Sequence, residues 1–298
     1  MRHIISVRDM DRAAIDALLD AAYEIEARRY NPQRLAGKIL ALLFYEPSTR
    51  TRMSFESAMA RLGGSSVTMG SVEASSVAKG ETLADTIRVV SGYVDAIVLR
   101  HPKEGAARLA SEFSSVPVIN AGDGAGQHPS QTLLDLYTIR RAMPINGVRV
   151  GLLGDLRYGR TTHSLALALS LYGAEIAAVA PKGLELPSGI LRELADRGTS
   201  VTEYSAIEDV IAGLDVLYVT RIQRERFPDT ASYLDIASSY RITPELIGLA
   251  RDHLIVLHPL PRVDEIDPRV DAMPNAKYFE QAHHGIPVRM AMLSEVLA

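Results

Sequence analysis

Six short segments gather hydroxyl, guanidinium and imidazole groups, and each directly follows an apolar run. The first is Phe44-Tyr45-Glu46-Pro47-Ser48-Thr49-Arg50-Thr51-Arg52, where an apolar run gives way to an amphipathic stretch. Free backbone N–H groups at a helix start, together with the helix dipole, make an anion site. Ser48, Thr49 and Thr51 add hydroxyl donors, and Arg50 adds a charged fork suited to a phosphate. The glycine spacing and lysine of a Walker loop are missing. A well-capped helix carrying surface arginines uses the same residue types, so both readings stand at this point.

Arg100, in Val98-Leu99-Arg100-His101-Pro102, falls just past a second apolar run. Ligands of open parallel sheets bind beyond the carboxyl ends of strands, although an arginine there is also an ordinary surface residue. The third segment, Asn120 to Gln131, carries Gly122, Gly124 and Gly126, which would let a loop approach a ligand closely. Its His128 and Gln131 are able to donate to a carbonyl or phosphate oxygen. The fourth, Gly151 to Thr161, runs from a strand pattern through glycine into a helix pattern. Asp155 and Arg157 stand where a dinucleotide pyrophosphate needs glycine, which argues against a nicotinamide site. Arg160, just before the helix, is better placed for an anion. The last two segments are Tyr218 to Arg226, with Arg221, and His258-Pro259-Leu260-Pro261-Arg262, whose prolines stiffen a loop and expose its carbonyls. Each also reads as a charged surface turn.

These segments need elements to hold them. Strand patterns occur at Ile39–Phe44, Ser66–Met69, Ala96–Leu99, Val116–Ile119, Val148–Leu153, Glu175–Ala180, Ser200–Glu203, Val216–Val219 and Leu254–Leu257. Helical patterns lie between most of them, at Thr49–Leu62, Thr82–Val90, Gly105–Glu112, Gln131–Arg141, Thr161–Leu171 and Ser188–Arg197. Such alternation predicts an α/β fold of mainly parallel sheets flanked by helices. Proline and glycine near Ala142–Gly147 predict a boundary between domains 1–142 and 143–282, with an amphipathic terminal helix at 283–298. Thr220 to Ile242 shows little periodicity, which predicts a functional loop.

Composition bounds the remaining classes. The chain has 298 residues, 47% hydrophobic and 23% charged, which excludes a disordered or fibrous protein. A net charge of −4 gives no bulk electrostatic case for nucleic acid. The longest apolar run, Ile39–Tyr45, is far short of the roughly 20 residues that span a bilayer. The first residues lack the apolar stretch of a signal peptide, so a cytoplasmic location is expected. With 0 cysteines there are no disulfides, thiolate metal sites or cysteine nucleophiles. Of 32 basic residues 27 are arginine, which suits carboxylates and phosphates, although codon bias gives the same excess.

Taken together, Ser48-Thr49-Arg50-Thr51-Arg52, Lys79-Gly80-Glu81-Thr82-Leu83-Ala84-Asp85-Thr86, Arg100-His101-Pro102, His128-Pro129-Ser130-Gln131, Gly154–Arg160, Thr220-Arg221-Ile222-Gln223 and His258–Arg262 run in one order along nearly the whole chain. In this set the chain resembles the aspartate carbamoyltransferase catalytic chains of the aspartate/ornithine carbamoyltransferase superfamily. The ornithine branch carries a cysteine where this chain has Pro259. Ala78 stands where some relatives have a second lysine, and Pro47 replaces a small residue. The resemblance implies two α/β domains with the active site in the cleft between them, and transfer of a carbamoyl group from carbamoyl phosphate to L-aspartate. It implies that Ser48, Thr49, Arg50, Thr51, Arg100, His128 and Gln131, with the carbonyls of Leu260 and Pro261, bind carbamoyl phosphate, and that Arg50, Thr51, Arg100 and His128 are catalytic. Lys79, Arg160, Arg221 and Gln223 would bind aspartate. Ser75 and Lys79 would come from the neighbouring subunit of a homotrimer, with or without a separate regulatory chain. No metal or organic cofactor and no nucleic-acid or membrane partner is implied. An ornithine-type transferase and a non-catalytic carbamoyl-phosphate-binding homologue are the alternatives.

Overall fold

Nine short strands, all in parallel pairs, build two sheets among the described residues. The structure, a computed structural model, describes residues 3–69, 80–222 and 240–297. The first sheet comprises β1 (Ile39–Phe44), β2 (Ser65–Thr68), β3 (Ala96–His101) and β4 (Val118–Asp123), in the order β2-β1-β3-β4. The apolar runs Leu40–Leu43 and Ala96–Leu99 are buried, as strands covered on both faces must be. β2 is exposed along its length and forms one edge of this sheet. The helices of this half are α1 (Arg12–Glu26), α2 (Thr49–Arg61), α3 (Leu83–Ser91), α4 (Ala106–Phe113) and α5 (Pro129–Ala142).

The second sheet comprises β5 (Arg149–Leu153), β6 (Glu175–Val179), β7 (Val201–Tyr204), β8 (Val216–Val219) and β9 (Ile255–Leu257), in the order β7-β6-β5-β8-β9. With it come α6 (Arg160–Leu169), α7 (Ser188–Asp196) and the single turn α8 (Pro244–Ile247), and the chain closes on α9 (Tyr278–Leu297), most of which belongs with the first sheet. Its core gathers Leu153, Val179, Leu214, Leu217, Val219, Ile242 and Val256 around the inner strands. The chain divides into two compact units, one of Met1–Tyr137 with His284–Ala298 and one of Thr138–His283. Both α5 and α9 run across that division.

Each expected strand lies within a residue or two of an observed one, save the later end of β4. Three helices differ from expectation, among them the single turn α8, which was not expected. α1 was not among the expected elements, yet Asp11 caps it by accepting from the Ala14 N–H at 2.8 Å, and Ile15, Leu18, Leu19, Ala22 and Ile25 form its buried stripe. α9 starts at Tyr278 rather than at 283 and runs through Pro287. No helix among the described residues is long and apolar enough to cross a membrane.

Candidate active site

In each sheet the strand order reverses once: between β1 and β3 in the first and between β5 and β8 in the second. Connections leave in opposite directions at such a point and open a crevice beyond the carboxyl ends of the two strands. Ser48–Thr51 follows β1 and Arg100 ends β3, while Arg160 follows β5 and Arg221 follows β8. Both reversal points therefore carry residues singled out for their chemistry.

At the first crevice the pairing sets Phe44 beside Arg100, and His101 beside Asp123. The Arg100 guanidinium donates through Nη1 to the Ala121 carbonyl at 3.1 Å and lies 3.5 Å from the Glu46 carboxylate through Nη2. One side chain thus links the carboxyl ends of β1, β3 and β4. α2 begins at Thr49, and Ser48 in its cap position makes no capping hydrogen bond with its side chain. The reading of this segment as a well-capped helix loses its main support. Thr51 is buried under the first turn; Arg50 is exposed, yet its surroundings desolvate it enough to lower its pKa. A partly desolvated cation at a helix N-terminus is suited to a polyanion.

α5 supplies the third group. Pro129 stands at its first position, where no N–H is needed, and His128 accepts from the N–H groups of Gln131 and Thr132 at 2.9 and 3.1 Å. His128 is buried, with Nδ1 3.3 Å from the Ser130 hydroxyl. Gln131 donates from Nε2 to Asp135 at 2.8 Å. Asp135 is fully buried, and its charge acts on Arg289 of α9, which is 3% exposed and lies 5.1 Å over the Phe55 ring. Burial pushes the Arg289 pKa down to about 10, against the upward pull of Asp135. Asp135 and Arg289 were not legible as site support, because their coupling depends on packing between segments far apart in the sequence.

The glycines of the Asn120–Gln127 loop have a different role from the one expected. A Cβ on Gly124 would meet Pro102 O and Glu104 N at 2.7 Å, so this glycine admits the chain's own backbone rather than a ligand. Asn120, with no exposure, organises the loop by donating to the Ile5 carbonyl at 2.9 Å and to Asp123 at 3.0 Å.

At the second crevice Gly154 has φ +118°, and a Cβ there would lie 2.3 Å from the Thr220 carbonyl. Close contact between the ends of β5 and β8, not a pyrophosphate, demands glycine. Thr220 ties these ends together, its N–H and hydroxyl donating to the Leu153 carbonyl at 2.8 and 3.0 Å. Arg221 follows at once. Arg160 opens α6, whose Gly159 cap contributes no side-chain bond. Arg160 and Arg221 are both half-buried.

Beyond β9, Leu260 takes φ +56°, a left-handed conformation that a leucine seldom adopts. Its N–H donates to His258 Nδ1 at 2.8 Å. Arg262 grips Asp271 with a bidentate ion pair and stacks over Tyr278 at 5.2 Å. That pair and the ring hold Arg262 in the second unit's own structure. Ser75, Lys79 and Gln223 lie outside the described residues, as does 223–239 of the expected functional loop. Among the described residues no group of three or more His, Asp or Glu is arranged to hold a metal ion.

Residues 2–141 match the family described as aspartate/ornithine carbamoyltransferase, carbamoyl-P binding domain, and residues 146–296 match its Asp/Orn binding domain. An aspartate carbamoyltransferase catalytic subunit from Methanosphaerula palustris is 74% identical over 298 residues, covering 100% of both chains. One from Methanoculleus marisnigri is 68% identical over 297 residues, again with 100% of both covered. Among solved structures, the catalytic subunit of M. jannaschii aspartate transcarbamoylase superposes with TM-score 0.93 at 54% identity, covering 100% of this chain and 98% of that one. The Trypanosoma cruzi aspartate transcarbamoylase in complex with N-(phosphonacetyl)-L-aspartic acid does so with TM-score 0.92 at 42% identity, covering 100% and 96%. With both family domains matched in order and relatives of this identity along its full length, the chain belongs to the aspartate/ornithine carbamoyltransferase family.

Proposed function

We propose that this chain transfers the carbamoyl group of carbamoyl phosphate to the α-amino group of L-aspartate, giving N-carbamoyl-L-aspartate and phosphate, an early step of pyrimidine synthesis. The observation that carries the reading is the convergence of the Ser48–Thr51 turn, Arg100 and the His128–Gln131 turn at neighbouring strand ends of one parallel sheet. Ser48, Thr49, Arg50 and Arg100 neutralise the phosphate. The aspartate amine attacks the carbonyl carbon, and Thr51, Arg100 and His128 stabilise the oxyanion as it forms. Gln131 and the carbonyls of Leu260 and Pro261 orient the carbamoyl amide. The C–O bond to phosphate then breaks, and the departing phosphate accepts the amine proton. Arg160, Arg221 and Gln223 hold the aspartate carboxylates through charge-assisted bonds. Holding both reactants in place is worth up to about 7–11 kcal/mol of barrier in favourable systems.

Ser75 and Lys79 act on the site of a neighbouring subunit in a cytoplasmic homotrimer, with or without a regulatory chain. A lysine acts as a point charge and tolerates delivery on a loop. Mixing inactive Lys79→Ala with inactive Arg50→Ala chains then restores part of the activity, because some sites receive neither defect. Hybrid trimers without activity would remove Lys79 from that role. The reaction itself is tested by offering carbamoyl phosphate with aspartate and then with ornithine and measuring ureido product. Product from ornithine alone moves the chain to the other branch of the family, and product from neither makes it a binding protein.

A further inference from the structure

We infer that His258 and Glu265 are positioning residues that fix the direction of the Leu260 carbonyl, and through it the seat of the carbamoyl amide. The inference rests on the proposed role of that carbonyl. His258 is 2% exposed, and both of its ring nitrogens are engaged. The Leu260 N–H donates to Nδ1 at 2.8 Å, so Nδ1 is the acceptor and the ring proton sits on Nε2. That proton is donated to Glu265 Oε1 at 2.8 Å. The other Glu265 oxygen accepts from the N–H groups of Val263 and Asp264 at 2.9 and 3.0 Å. The turn from 258 to 265 is therefore closed by one imidazole and one carboxylate. It is anchored outside as well: the His258 N–H donates to Gln281 of α9 at 2.8 Å, and the Glu265 carbonyl accepts from the Ile242 N–H at 2.9 Å.

Leu260 is the member of this turn with an unfavourable backbone, at φ +56°. Its N–H bond fixes the peptide plane before it, and the Pro261 ring restricts the chain after it. With both sides set, the carbonyl has one direction. His258 supplies no group to the proposed chemistry, so its two bonds have the geometry of a support.

Asparagine and glutamine separate the two bonds. In His258→Asn the Oδ1 atom takes the place of Nδ1 toward an N–H two residues on, a pattern asparagine adopts readily. In His258→Gln the amide reaches toward Glu265 and leaves the Leu260 N–H without its acceptor. Carbamoyl phosphate binding to the full-length protein, measured by calorimetry, is expected to stay within about threefold for His258→Asn and to weaken about tenfold for His258→Gln, the loss of one hydrogen bond. At saturating carbamoyl phosphate, the KM for aspartate should change less than that. Equal weakening in both variants, or none in either, overturns the inference. Glu265→Gln keeps the imidazole and guards against misfolding at position 258; it should weaken carbamoyl phosphate in the same direction, and unchanged binding there also overturns the inference. Wild-type protein that binds carbamoyl phosphate without forming product would instead refute the proposed reaction while this comparison stands.

Discussion

Gln131 donates its side-chain N–H to the Asp135 carboxylate at 2.8 Å, one turn along α5. A carboxylate only accepts, so the Nε2 end of the amide faces Asp135 and the Oε1 end faces away from it. Gln131 thereby offers an acceptor, which suits the donor –NH2 of a carbamoyl group. Asp135→Asn removes this constraint, since asparagine both donates and accepts. Carbamoyl phosphate affinity is expected to fall about five- to tenfold, as for one buried hydrogen bond, in calorimetric titration. Unaltered affinity would separate Gln131 from the substrate.

Arg289 is buried and feels the Asp135 charge, and its Nε has no hydrogen-bond partner among the described residues. Arg289→Met keeps the volume against Phe55 but leaves the Asp135 charge without the cation. Losing this attraction, while Gln131 still donates to Asp135, should cost less than the roughly 3–5 kcal/mol of a broken contact ion pair, read as a lower urea midpoint. If the two charges are coupled, the loss in Arg289→Met/Asp135→Leu should be smaller than the sum of the two single losses. Single losses that simply add in the double variant would refute the coupling.

Gly154→Ala tests the contact between the ends of β5 and β8. The new Cβ would meet the Thr220 carbonyl at 2.3 Å with φ at +118°, so backbone must shift. Strain of this kind costs on the order of 1–3 kcal/mol, and the shift falls on the residue before Arg221. The expected result is a lower melting temperature together with a raised aspartate KM. Normal aspartate kinetics in a destabilised variant would place Arg221 away from aspartate.

Asp215 accepts from His253 and Arg251 at 2.8 Å and from the Arg149 N–H at 2.9 Å. Burial raises its pKa, but these donors outweigh burial and hold it below the ordinary 3.8. A carboxylate with a lowered folded pKa contributes stability that is fully present above the unfolded value and is lost as pH falls through the folded one. The stability gap between wild type and Asp215→Asn should therefore be constant at neutral pH and close below about pH 3.8. Thermal melts of both proteins across that range measure it, and a gap independent of pH would count against the ionised network.

Strand placement was legible because Leu40–Leu43, Ala96–Leu99 and Val216–Val219 are unbroken apolar runs bounded by turn residues, and their burial on both faces is what such runs require. α1 went unread although Asp11 and the three- and four-residue spacing of Ile15, Leu18, Leu19 and Ala22 form an ordinary helix signal. The start of α9 was not legible, since Gly285 and Pro287 interrupt its pattern and tertiary packing overrides them. In the candidate site, Ser48–Thr51, Arg100, His128 and Arg221 were visible as polar residues just past apolar runs. Gln131 and Asp135 stand four apart, the spacing of helix neighbours. Arg289 and Glu265 were hidden, because burial and tautomer depend on contacts that no local pattern encodes. Gly124 was visible, but the structure gives it close backbone packing: permissive backbone serves packing as readily as it serves a ligand.

The division of the chain has a consequence for how the protein is made. Residues Thr138–His283 form one continuous insert within the other unit, whose last piece is His284–Ala298. During synthesis the first unit therefore emerges without the segment that carries Arg289. At about 5–20 residues per second, that segment follows roughly 7–30 s after Tyr137. Until then Asp135 lacks the nearby positive charge of Arg289. A nascent chain thus completes its first unit only when translation is nearly over, and early termination anywhere in the second unit leaves a first unit lacking its closing helix.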